Sequence, residues 1–221
     1  ERPMSEAQPI HYELIRTGWR VTVTCPPEGP LHLEAADLMA PPPDGPVEPI
    51  ALDFKLDDQA RQTFEALVAR VGSNRPVEPG ADNTIVCRLR TEPWEAAWTA
   101  ESLEQHQAGA KLRAFMESQC LLRWHASMLA SIRASRFQAN NQLEEQAHAL
   151  RDAIERLGTW WKPDKPMRDE TGARYSDGKA ALSRGDFAHA VTRFQRVLKM
   201  RRDIYKKKYT EAAAADPAGL K

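Results

Sequence analysis

The chain has 221 residues, 42% of them apolar, enough for a buried core and too many for a chain disordered throughout. Its 31 Lys and Arg balance 31 Asp and Glu, so no overall charge singles out an acidic or a basic partner. That balance hides a segregation: residues 1–93 carry a net charge of −6, residues 94–158 of −1 and residues 159–221 of +7. No apolar run approaches the roughly 18 residues that a transmembrane helix needs, so no membrane span is expected. The chain starts at Glu1, which reads as a processed or excised product, and its composition reads as that of a cytoplasmic protein.

Proline divides the sequence. Thirteen of the 16 prolines precede Trp94, and none lies between Trp94 and Lys162. Proline removes a backbone donor and clashes inside helices, so the first part favours strands and turns while the second permits long helices. In the first part, "RVTVTC" (Arg20 to Cys25) alternates with period two and is rich in β-branched residues, which marks a strand. "LHLEA" (Leu31 to Ala35), "PIALDF" (Pro49 to Phe54) and "TIVCRL" (Thr84 to Leu89) are further strand candidates, separated by the turn-rich "MAPPPDGPVEP". Asp57 then caps a predicted helix with Ala60, Phe64, Leu67, Val68 and Val71 on one face, closed by Gly72. The order predicts a small α+β module over residues 10–92, with one helix packed on a sheet.

From residue 94 to 158 the pattern is helical, as a hairpin or as long amphipathic helices. Trp94 and Trp98 fall one turn apart. Leu112, Phe115, Met116, Leu122, Ala126, Leu129 and Ile132 follow helical spacing, and Leu143, Ala147, Leu150, Ile154 and Leu157 form a second seam. The two seams are out of phase, which predicts a break at "ANNQLEE" with Asn141 as the cap; the alternative is one helix whose stripe changes partner. Gly158 ends this part, and the adjacent Trp160 and Trp161 are candidates either for a partner surface or for a wedge between helices.

Residues 171–204 carry the most specific pattern. Gly178 and Ala181 allow two helices to approach closely, Gly185 supplies the turn, Asp186 caps the second helix, and Phe187, Ala190 and Phe194 fill the space between helices. With Val197, this spacing resembles a single tetratricopeptide repeat. Val197 is larger than the usual alanine, Arg174 stands where a tryptophan is usual, and Arg202 where the closing proline is expected. The resemblance implies a helical hairpin, residues 167–209, of the kind that arrays use to hold protein partners. The residues after it, 210–221 ("TEAAAADPAGLK"), read as a flexible tail. A lone repeat cannot bury both faces, so it implies something that covers the second one.

Chemical motifs are sparse. The six histidines show no HExxH or HxH spacing, Cys120 and His125 point apart on a helix, and "DFKLDD" lacks the glycine and glutamate of a calcium loop. No phosphate-binding glycine loop occurs, so no cofactor and no metal is expected. Cys25, Cys87 and Cys120 are far apart and read as packed thiols, with a Cys25–Cys87 bridge as the alternative in an oxidising compartment. The remaining signal is basic: Arg202, Lys206, Lys207 and Lys208, with Tyr205 and Tyr209 interleaved, place Arg202, Lys206 and Tyr209 on one helix face, expected to lie opposite the core. The resulting expectation is a non-catalytic protein-interaction module, an adaptor or assembly subunit with a protein partner or a second copy of itself. An acidic segment or nucleic acid is the alternative ligand of the basic helix, and an enzyme with a site between the two parts is the third reading.

Overall fold

A computed structural model describes residues 8–76, 84–158 and 165–215. The fold is α+β: a six-stranded antiparallel sheet at the N-terminal end, then a mainly helical region. The strands are β1 (Ile10–Arg16), β2 (Trp19–Cys25), β3 (Leu31–Asp37), β4 (Ile50–Phe54), β5 (Cys87–Thr91) and β6 (Trp94–Trp98), in the order β4-β3-β2-β1-β5-β6. The helices are α1 (Asp58–Ser73), α2 (Ala100–Gln105), α3 (Gln107–Cys120), α4 (Leu122–Ala139), α5 (Leu143–Leu157), α6 (Lys165–Ser183) and α7 (Phe187–Ala215). The chain forms two compact units, a sheet unit over residues 8–35, 50–76 and 84–122, and a helical unit made of Ala36–Pro49 and Arg123–Ala215.

In the sheet unit, period-two alternation sends Tyr12, Leu14, Val21, Val23, Leu31, Leu33, Leu89 and Trp98 to one buried face. Helices α1 and α3 supply the opposing apolar surface, with Phe64 stacked on Phe115 at 6.2 Å between ring centroids. On the polar side chains of the strands, Glu13 pairs with Arg20 and Arg88, and Glu95 with Arg88 and Arg90, a cross-strand ladder of opposite charges. Asp57 caps α1 through a 2.7 Å bond from the Ala60 amide, and all five predicted apolar positions of that helix are buried. His106 ends α2 and starts α3: its Nδ1 accepts from the Gly109 amide at 2.9 Å while Nε2 donates to the Asn74 carbonyl.

Several sequence expectations are corrected here. Trp94 and Trp98 lie on strand β6, paired with Thr91 and Cys87 of β5, not on a helix; their period of four fits a strand as well as a helix turn. The sheet unit therefore continues to Leu122 and does not end at residue 92. Strand β1 was not expected, because "IHYELIR" interleaves His, Glu and Arg among its apolar residues. Helix α1 ends at Ser73 with Asn74 as its cap, not at Gly72. The first helical stripe is cut at Leu121, which has φ 48 and ψ 44, so that α3 and α4 are separate, and Ile132 is exposed. The predicted break after α4 is present, but Gln142, not Asn141, is the cap of α5, and Asn141 takes φ 56.

The helical unit is built on α7, which packs against both α5 and α6. Ala147, Leu150, Ile154 and Leu157 of α5 and Ala190, Val191, Phe194, Val197 and Leu198 of α7 are buried. The α6–α7 hairpin forms as expected: Gly185 turns with φ +77, the Asp186 carboxylate accepts from the His189 amide at 3.2 Å, and Phe187 is half-buried. Gly178 lies under Phe194, where a Cβ would fall 2.7 Å from the ring's Cε1. Tyr175 extends this contact: its ring tilts against Phe194, and its hydroxyl donates to Glu155 at 2.6 Å.

The proline-rich segment Ala36–Pro49 is also part of the helical unit, fixed by arginines of α4 and α5. Asp37 accepts from Arg133 Nη1 at 2.8 Å and from Arg156 Nη2 at 2.8 Å, and both guanidinium groups also reach Asp152. The side chains of Asp37, Arg133 and Arg156 are 4%, 5% and 1% exposed, so this is a buried two-by-two ion network. Arg136 adds bonds to the Gly45 and Pro46 carbonyls, and Val47 is buried.

Two stability outcomes follow from these contacts. Asp37→Ala leaves two buried guanidinium groups sharing one carboxylate and is expected to cost about 3–5 kcal/mol in urea denaturation, whereas Asp53→Ala, which breaks the exposed His32–Asp53 pair, costs under about 1 kcal/mol. Gly178→Ala forces the Phe194 ring to move and is expected to lower stability by about 1–3 kcal/mol in the same assay.

Candidate functional site

Helices α4, α5 and α7 each turn one face toward a groove of about 420 Å³. Helical spacing explains the membership: Ser131, Ser135 and Gln138 follow one another along α4, Gln146 and Leu150 along α5, and Gln195, Lys199, Arg202 and Asp203 along α7. Ala134, Leu150 and Leu198 make an apolar floor and are buried, while Ser135, Gln138, Gln195, Lys199 and Asp203 stand exposed around it. The cavity is concave, partly apolar and ringed by groups that can both donate and accept, which is the chemistry of a binding groove.

Arg202 is the charged centre of this groove. Its Nη2 donates to the Ser127 carbonyl at 3.1 Å, to Ser127 Oγ at 3.2 Å and to Ser131 Oγ at 2.7 Å, and its guanidinium lies over the Trp124 ring at 5.7 Å. Every one of these partners is neutral. Its Nε has no partner among the described residues, and burial alone pushes its pKa down. Gln146 stands on the α5 side, 2% exposed, and its Nε2 donates to Gln138 Oε1 at 3.2 Å.

This geometry corrects the expected basic face. Arg202 turns into the helical bundle and not to the surface opposite the core, and Tyr205 is fully buried against Trp124 at 5.8 Å. Lys206 and Lys207, by contrast, are exposed. Lys208 and Tyr209 lie within α7, but their side chains are outside the described set, as are Trp160 and Trp161 altogether. Gly178, Gly185, Phe187, Ala190 and Phe194 come together as the hairpin and do not enter the groove. The groove residues that sequence reasoning missed, Gln146 above all, sit in polar rows at helical spacing that look like solvated faces until the third helix is placed.

Other reactive groups are packed away. Cys25, Cys87 and Cys120 are free and buried, so no Cys25–Cys87 bridge is present, and burial pushes the Cys87 thiol up to about 12. Among the described residues no group of three or more His, Cys, Asp or Glu could hold a metal ion, and no helix is long and apolar enough to cross a membrane.

His125, next to Trp124 on α4, is half-buried, and burial pushes its pKa below the usual histidine value. The folded chain therefore binds fewer protons here than the unfolded one, and stability falls as pH drops below about 6.5. His125→Gln is expected to lose less melting temperature than the wild type between about pH 7.5 and about pH 5.5, as read by circular dichroism. No family model matches the chain, and no significant match to a curated protein or to a solved structure is found.

Proposed function

We propose that this chain is a protein-interaction module whose helical unit receives a segment of a partner in the groove between α4, α5 and α7. The observation that carries the reading is the combination at that groove of an apolar floor, a ring of amides and hydroxyls, and a half-buried Arg202 whose bonding partners are all neutral. An extended polypeptide offers what such a lining can use: backbone donors and acceptors for glutamines and serines, and side chains for the floor. The resemblance of α6–α7 to a tetratricopeptide hairpin supports the same reading, since such hairpins serve as scaffolds for partner segments. Here α5 covers one face of the hairpin, and α7 lends the groove its own polar row.

A photoreactive amino acid at Ser135, on the groove rim, tests this in native lysate against the same residue at Ala180, exposed on α6 outside the groove lining. The expected result is a discrete set of covalent polypeptide adducts from position 135 that is absent from position 180. Equal adducts from both positions, or none from position 135, would remove the groove as a docking site.

A further inference from the structure

We infer that the segment received in the groove is acidic and places one carboxylate on Arg202; this rests on the reading of the groove as a docking site and names the chemistry of its occupant. The helical unit contains an internal standard for what a desolvated arginine requires. Arg133 and Arg156, 5% and 1% exposed, each reach two carboxylates, Asp37 and Asp152. Arg202 is likewise turned into the bundle, yet it has only a carbonyl, two hydroxyls and an indole ring for company. A guanidinium with five donors in a planar fork uses Nη2 for all its bonds among the described residues; Nε is buried, and Nη1 is left to a ligand.

The neighbours refine the choice. Lys199, three residues before Arg202 on α7, adds a second cation to the groove rim, and it is exposed. Asp203 lines the same groove immediately beyond them. An anion at that point repels a ligand charged along its whole length, so a polyphosphate backbone fits poorly, whereas a peptide with one carboxylate among neutral groups fits well. Gln146, 2% exposed, donates to Gln138 at 3.2 Å and so orients an exposed amide on the rim, which meets the backbone of the bound segment.

The test is selection of a random dodecapeptide library, displayed on phage, against the immobilised full chain, with affinities of the selected peptides then measured by fluorescence anisotropy. Peptides enriched in Asp or Glu at one position are expected. Arg202→Gln, which removes the charged fork and keeps a polar side chain, weakens their binding by about 10- to 100-fold. Lys199→Glu, at an exposed position outside the core, weakens it several-fold without altering the melting temperature. Enriched peptides without an acidic residue, or binding indifferent to both substitutions, would overturn the acidic ligand while leaving the groove as a docking site. Absence of any enriched peptide together with absence of adducts at position 135 would overturn both. Displacement of selected peptides by an oligodeoxythymidylate, lost steeply as salt is raised, would assign the groove to nucleic acid and overturn the peptide.

Discussion

A carboxylate buried between two guanidinium groups holds the helical unit in its present form. Asp37 has no exit to water, and neither do Arg133 and Arg156, so each of the three charges is tolerable only while the others stay in place. The network fixes α4 against α5 through Asp152 and pins the proline-rich segment to both. Prolines cannot supply a ladder of backbone donors, so the segment depends on arginines that donate to its carbonyls and to its one buried acid. It also brings acidic residues Asp37, Asp44 and Glu48 into the most basic part of the molecule, which partly cancels the charge segregation of the linear sequence.

Seen beside that network, the groove is the part of the helical unit whose electrostatics are incomplete. Burial raises the demand of a guanidinium for an anion, and the fold meets the demand at Arg133 and Arg156 but gives Arg202 only dipoles and an aromatic face. Hydroxyls and a tryptophan hold the side chain in one orientation without neutralising it. Such an arrangement preorganises a cation for an external anion, since little rotamer freedom remains to be lost when a ligand arrives.

How much of this was legible depended on whether the information was local. The cap at Asp57, the five buried positions of α1, and the Gly178, Gly185 and Phe194 hairpin all rest on contacts within one helix or between sequential helices, and their spacing displays them. Trp94 and Trp98 show the limit: a four-residue period satisfies both a helix and a strand, and the pairing with β5 decided for the strand. The break at Leu121 carried no glycine or proline to announce it. Arg202 was legible as a cation but not as an inward-facing one, because its stripe on α7 is polar and only the serines of α4, some seventy residues earlier, draw it in. Asp37 was invisible as a core residue for the same reason: a lone acid at the end of a strand becomes structural only when two distant arginines surround it.

The same two bonds make the completion of the helical unit a long-range event in the chain. Helical bundles ordinarily fold fast because their contacts lie close together along the chain. This one closes with bonds spanning 96 residues, from Asp37 to Arg133, and 119 residues, from Asp37 to Arg156. Its helices can form locally, but the unit is complete only when a loop longer than most small domains has been brought shut, and the entropy of that closure is spent before the ion network returns anything. A bundle with mostly local contacts thus depends on two of very long range. During synthesis the acidic segment emerges first and waits, with its carboxylate in water, for the arginines that will bury it.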